Sequence, residues 1–114
     1  MKVISIPADT ATAVADITGL LRHVMEGENL GAKLKFDYGP DGCVVIDGRK
    51  TPNEVHNRNE EADCTVLIDP LLHWHILHLE VDLTTAFRQG KMRLMGDVGV
   101  AANLPSIVAR KTQA

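Results

Sequence analysis

The sequence predicts an α+β domain: a five-stranded, mainly antiparallel sheet with helices covering one face. Three observations carry this expectation. Runs with a two-residue hydrophobic period alternate with runs of three- and four-residue period. Asp stands at or just ahead of the helical runs, and Gly marks most of the turns. The length, 114 residues, suits a single domain with one core.

The first element is helical. From Thr10 to about Glu26, the residues Val14, Ile17, Leu21 and Val24 recur at helical steps and form one apolar stripe. Asp9 or Thr10 can cap the start, and Gly27 and Gly31 are suitable stops. Gly19 inside the pattern costs up to about 1 kcal/mol relative to Ala, which close packing would explain. Lys33 to Tyr38 alternates strictly, so a half-buried strand is expected with Leu34, Phe36 and Tyr38 on its covered side. Gly39-Pro40-Asp41-Gly42 is turn chemistry, and Cys43 to Ile46 completes a hairpin.

Asp47-Gly48 makes another turn, and Glu54 to Asn59 reads as a polar third strand at an edge. Asp63 to Ile68 is the fourth strand, with Cys64, Val66 and Ile68 on one face. At Asp69-Pro70 a carboxylate can accept from free first-turn amides, and Pro supplies a preset φ where no donor is needed. A helix is expected from there to about Leu79, burying Leu72, Ile76 and Leu79. Asp82 caps a shorter helix from Leu83 to Gln89, which Gly90 stops. Lys91 to Met95 is the fifth strand, with Met92 and Leu94 on one face. Gly96-Asp97 opens a last helix through Val100 and Leu104, ended or kinked by Pro105. Flexible termini are expected over about 1–8 and 109–114.

Composition narrows the functions. Hydrophobic residues make up 45% and charged residues 24%, ordinary values for a globular protein. Net charge is −3 and no long Lys/Arg run occurs, whereas nucleic-acid binding normally leaves a basic stripe. The densest basic patch, Arg88, Lys91 and Arg93, reads as an exposed face, and no nucleic-acid partner is expected. Cys43 and Cys64 are too few for a disulfide scaffold and read as small buried hydrophobes, with a bridge between them left open. Met1 to Thr10 lacks signal-peptide regions, no apolar stretch has transmembrane length, and Arg110 to Ala114 carries no peroxisomal or lipidation address. A cytoplasmic location is the expectation.

The stretch from Asp82 to Ala101 holds an Ala86-Phe87 pair and a Gln89-Gly90-Lys91 turn. A strand then ends in Gly96-Asp97 and leads into a helix containing Gly99. This resembles the signature of sterol carrier protein-2 domains. Upstream, Ala62-Asp63-Cys64-Thr65-Val66 is similar to that family's Ala-Asp-aliphatic-Thr-aliphatic strand, and the Gly42 to Gly48 hairpin fits as well. The specific match covers about forty residues, and the order of elements extends it over nearly the whole chain. In one region the chain departs from the family: Leu79 and Leu83 stand where it usually has Gly and Pro ahead of the short helix.

The resemblance implies an apolar tunnel between helices and sheet, and a ligand such as a sterol, fatty acid, acyl-CoA or phospholipid. It conveys no catalytic residue. Strand alternation and helix spacing then nominate a lining: Phe36, Ile46, Val66, Ile68, Leu72, Ile76, Leu83, Phe87, Leu94, Val100 and Leu104. Without the resemblance the same residues read as a solid core, since apolar clusters usually mean core. Transient membrane or enzyme contact is compatible with a carrier. A second reading is an accessory subunit presenting a quinone-like intermediate to enzymes, because quinone-synthesis accessory proteins carry related domains.

Two chemical readings fare worse. His73, His75 and His78 invite a metal, but on a helix His73 points away from His75, and zinc needs three or four converging ligands. These histidines are expected at the helix surface or near a cavity mouth beside Trp74. Asp63 with His56 or His75, or Cys64 with a histidine, are conceivable catalytic pairs. No spacing gathers nucleophile, base and orienting group. No cofactor, metal or stand-alone catalytic role is expected.

Overall fold

The computed structural model describes residues 7–112. The sheet is built outward from a hairpin. β1 (Lys33–Asp37) and β2 (Cys43–Asp47) pair antiparallel around a 3-10 turn at Gly39–Asp41. β3 (Glu54–His56) extends the β2 edge, β4 (Cys64–Ile68) lies parallel to β1, and β5 (Met92–Gly96) closes the other edge antiparallel to β4. The sheet order is β3-β2-β1-β4-β5, mixed but mostly antiparallel, with β1–β4 as its one parallel pair.

Register decides which side chains share a face. Leu34 sits opposite Ile46 and Cys64, Phe36 opposite Val44 and Val66, and Val66 opposite Leu94. The inner face is therefore a continuous apolar surface running from Val55 on β3 to Met92 and Leu94 on β5. All five β2 residues are buried, because the outer face is covered too. To pass from the β3 edge to β4, residues 57–63 cross the outer side of β2 and β1. Glu60 ion-pairs there with Lys33 at 2.9 Å, and Asn59 accepts from Lys35 Nζ at 2.6 Å.

Cys43 lies opposite Asp37 on that outer face and Cys64 opposite Leu34 on the inner one, so the two thiols are separated by the sheet and both are free. The expected third strand stops at His56 rather than Asn59. The crossing segment leaves the ladder there, and Arg58 N–H donates to His56 Nδ1 instead.

Helices cover the inner face. α1 (Thr10–Val24) starts at Asp9, whose carboxylate accepts from Thr12 N–H at 2.7 Å. It buries Ala13, Ile17, Leu21 and Val24, so Ala13 takes the place expected of the half-buried Val14. The row at steps of four, residues 13, 17 and 21, is fully buried, and α1 packs against β2 and β3. A side chain at Gly19 would meet nothing, so close packing does not account for this glycine.

α2 (Pro70–Leu77) begins as expected, with Asp69 accepting from Leu72 N–H at 3.0 Å. Its burial differs: Pro70, His73, Trp74 and Leu77 are buried, while Leu72 and Ile76 are half-buried and Leu79 is exposed. PLLHWHIL is apolar on every side, so helical period alone cannot single out a face.

α3 (Leu83–Arg88) starts from a side-chain cap at Asp82. The last expected helix is two helices. α4 (Val98–Ala102) ends before Asn103, and Pro105 becomes the second residue of α5 (Leu104–Thr112), where its missing N–H is no loss. The tail expected to be flexible from Ala109 is helical through Thr112. Leu104, Ile107 and Val108 are buried, Arg110 meets Glu28 at 2.6 Å, and Lys111 donates to the Glu26 carbonyl at 2.7 Å. At the other end Pro7 is buried, and residues 1–6 and 113–114 lie outside the described residues.

Two residues with positive φ make opposite demands. Gly96 has φ +92, and a Cβ there would strike the Asp63 carbonyl oxygen at the β4–β5 edge. Leu79 has φ 61 in a Schellman end of α2, where its N–H donates to Ile76 O and Glu80 N–H to His75 O, each at 3.0 Å. That position ordinarily favours Gly, and a branched side chain there costs on the order of 1 kcal/mol. Gly96→Ala is expected to lower stability by more than about 1 kcal/mol. Leu79→Gly is expected to hold or raise it by up to about 1 kcal/mol. Urea denaturation of the two variants beside the parent checks both signs.

Candidate functional site

The helical layer does not close over the whole inner face. α1 covers β3 and β2, and α4 crosses β1 and β4 at one end. Between α2, α3, α4 and α5, above β1, β4 and β5, lies a pocket of about 840 Å³, within the range of small-molecule sites. Phe36, Val66, Ile68, Met92 and Leu94 form its floor. Ile76 and Leu77 of α2, Leu83 and Phe87 of α3, Val98, Ala101 and Ala102 of α4, and Leu104, Pro105, Val108 and Ala109 of α5 form the walls, and the α2–α3 link adds Leu79 and Val81.

Four polar residues join this lining: His73, Glu80, Asp82 and Thr84. The pocket opens to solvent along an apolar rim. Leu79, Leu83, Phe87 and Val98 are 55%, 37%, 51% and 53% exposed, and Met95 lies just beyond, in a shallow adjoining depression that also holds Arg93. Large apolar side chains left this open in a group mark a binding surface more often than an idle one.

Eight of the eleven nominated residues line the pocket: Phe36, Val66, Ile68, Ile76, Leu83, Phe87, Leu94 and Leu104. Ile46, Leu72 and Val100 do not. Ile46 is on the correct face but wholly buried in the part of the sheet that α1 covers. Val100 is buried in the short α4, which leaves its neighbours Ala101 and Ala102 on the pocket side. Leu72 is half-buried against the core one turn ahead of Ile76, outside the pocket lining. Met92 and Val108 line the pocket without having been nominated, although pattern reaches both. Met92 shares the Leu94 face, and Val108 stands four residues after Leu104.

His73 is a further unnominated member, buried in the pocket lining where the helix surface or a cavity mouth is the expectation. It is 3% exposed, its ring centroid lies 4.2 Å from that of Phe36, and its Nδ1 is hydrogen-bonded to the Tyr38 hydroxyl at 2.6 Å. His75 pairs instead with Glu80 at 3.0 Å and meets Trp74 edge-on at 5.1 Å, and His78 lies against Trp74 at 4.0 Å, so neither shares the Tyr38 and Phe36 partners of His73. No group of three or more His, Cys, Asp or Glu residues suited to a metal occurs among the described residues. Nor is any helix among them long and apolar enough to cross a membrane.

Burial pushes the His73 imidazole down to about 3, so it is neutral at ordinary pH. Its ring must be protonated in the unfolded chain but not in the folded one between about pH 3 and 6.5. Stability is therefore fully present above 6.5 and falls as pH drops through that window, by up to about 1.4 kcal/mol per unit. The carboxylates held low by their partners, such as Glu54 hydrogen-bonded to Lys50 and Arg58, act only below about pH 4.5. Denaturation at pH 5 and pH 7 should thus show a loss on acidification in the parent, and a smaller loss in His73→Phe.

Two kinds of comparison place this architecture. Solved structures share it over nearly their full length. Sterol Carrier Protein 2 from Yarrowia lipolytica, in its apo form, matches at TM-score 0.70 and 16% identity, over 97% of this chain and 100% of that one. The sterol carrier protein domain 2 of Helicoverpa armigera matches at 0.71 and 20%, over 97% of each. Sterol Carrier Protein-2 from Aedes aegypti, solved in complex with palmitate, matches at 0.65 and 17%, over 90% of this chain and 97% of that one. At these identities the likeness is one of fold. Nothing among curated proteins matches the sequence. The family model for the SCP-2 sterol transfer family matches residues 3–109, nearly the whole sequence, and on that match the chain belongs to the SCP-2 sterol transfer family.

Proposed function

We propose that this protein binds a long, hydrocarbon-rich lipid in the pocket between α2–α5 and the sheet, and carries it between membranes or enzymes without chemical change. The observation that carries this reading is the pocket itself: about 840 Å³, walled almost wholly by apolar side chains and entered across an apolar rim. A fold neighbour solved with palmitate supports it. The reading places the carrier in the cytoplasm, and the exposed rim is where a donor membrane or partner enzyme would hand over its lipid.

Magnitudes are compatible with loading and release. Each buried methylene contributes about 0.8 kcal/mol, so a sixteen-carbon chain offers on the order of 12 kcal/mol gross. Association costs of roughly 4–15 kcal/mol come off that figure. The remainder spans weak to submicromolar binding. A catalytic reading has less support. The titratable side chains of the pocket are His73, already bonded to Tyr38, Glu80, bonded to His75, and Asp82, which caps α3. Among them there is no nucleophile set against a base.

Leu104 is buried in the pocket wall at the start of α5, and a larger side chain there would fill pocket volume. Leu104→Trp is expected to cut binding of dehydroergosterol, a fluorescent sterol, at least tenfold while the cooperative unfolding transition persists. Unchanged sterol binding in a folded Leu104→Trp protein would refute the pocket as the ligand site. Mass spectrometry of lipids extracted from the purified protein identifies the natural cargo.

A further inference from the structure

The pocket has one polar contact point deep in its wall, and its hydrogen bonds can be accounted for completely. Tyr38 and His73 are both buried, at 3% exposure each, and they meet at Tyr38 O–H and His73 Nδ1, 2.6 Å apart. Neither side chain has another hydrogen-bond partner among the described residues. If His73 carried its proton on Nδ1, the Tyr38 hydroxyl would have to accept, and its own proton would be stranded. Either tautomer leaves one donor unmet, but His73 belongs to the pocket lining and Tyr38 does not, so the arrangement that leaves the unmet proton where a bound molecule can reach it has Tyr38 donating to a bare Nδ1 and the proton on Nε2.

That Nε2–H is then a donor with no protein acceptor. The fully sealed unpaired polar side-chain atom among the described residues is Trp74 Nε1. The unpartnered nitrogen of His73 is not sealed in this way, and His73 lines the pocket. An unmet buried donor costs about 1–3 kcal/mol, a cost that a bound oxygen acceptor would remove.

The charges of the pocket bear on what can carry that oxygen. No Lys or Arg belongs to its lining, whereas the carboxylates of Glu80 and Asp82 do. The neighbouring cation, Arg93, belongs to the shallow depression outside. His73 is itself neutral because of its burial. An ionised head group brought inside would lose water, gain no countercharge and face two carboxylates. An un-ionised hydroxyl or carbonyl would accept from Nε2–H at little desolvation cost.

We infer that His73, held by Tyr38, makes the pocket selective for un-ionised hydrocarbons bearing a single terminal hydroxyl or carbonyl oxygen, over ionised lipids such as free fatty acids. This rests on the proposed lipid-carrier reading and narrows its ligand class. A sterol, a long-chain alcohol and a prenylated quinone share the required chemistry.

The experiment uses the full chain at pH 7.5, with Nile red as a displaceable probe and three sixteen-carbon competitors: hexadecane, hexadecan-1-ol and palmitate. In the parent protein hexadecanol is expected to displace the probe about tenfold better than hexadecane or palmitate. In His73→Phe the advantage of the alcohol over hexadecane should fall below about threefold. A merely structural role for His73 would weaken all three together. Palmitate matching or exceeding hexadecanol in the parent overturns the inference, as does an alcohol preference that survives in His73→Phe. Failure of all three to displace Nile red overturns the carrier reading instead.

Should His73→Phe not fold, ring nitrogen-15 spectra of the parent supply the same test. The proton must reside on Nε2, and its resonance must shift with hexadecanol and not with hexadecane. A proton found on Nδ1 overturns the inference.

Discussion

The parallel pairing of β1 with β4 is the constraint on which the rest of this structure depends. Two parallel neighbours cannot be joined by a tight turn, so the chain between them must travel. It first forms β2 and β3 on one side of β1, then recrosses the outer face through residues 57–63, where Lys33, Lys35 and Glu60 fasten it. The inner face of β4 and β5 is left to be roofed by the C-terminal part of the chain, which supplies mostly short helices. α2, α3 and α4 have eight, six and five residues, too short to lay a continuous apolar stripe over three strands. The void beneath them results from this mismatch between sheet width and helix length.

The walls of that void are placed by helix ends as much as by helices. Asp69, Asp82 and Asp97 accept first-turn amides and so fix where α2, α3 and α4 start. At the far end of α2, Leu79 takes a left-handed conformation that glycine would adopt at lower cost, and it projects a large apolar side chain to the pocket rim. Local strain kept at a binding site is a recurring signature of function. Here it occurs at the rim of the pocket. The rim's exposed side chains and this strain are consistent with an entrance that works by apolar contact.

Much of the architecture is legible without coordinates. Strict alternation in Lys33–Asp37 and Cys64–Ile68 places Leu34, Phe36, Val66 and Ile68 on the covered face, and burial obeys that pattern. The Asp caps locate the starts of α2 and α3 to the residue, and Gly96-Asp97 marks that of α4. Burial within α2 is not legible, because apolar residues surround it and the period carries no face. The separation of α4 from α5 is only half legible: Pro105 announces a break, but the same residue serves equally well to open a new helix. His73 is concealed by its neighbours, since three histidines close together suggest a surface or a metal, and only the fold brings Tyr38, thirty-five positions earlier, to its Nδ1.

By itself, then, the sequence determined the elements apart from the α4–α5 break, their order, the strand faces and the family, since each is written in local spacing and short motifs. It left to tertiary structure which strand lies beside which, which side of α2 turns inward, and which apolar residues fill the core rather than face the pocket. Ile46 and Phe36 show the difference: both occupy the inner face in adjacent strands, yet one lies in the part of the sheet beneath α1 and the other borders open space. Local pattern records the face of an element. Whether that face meets a helix or a gap depends on lengths and crossings far away in the chain.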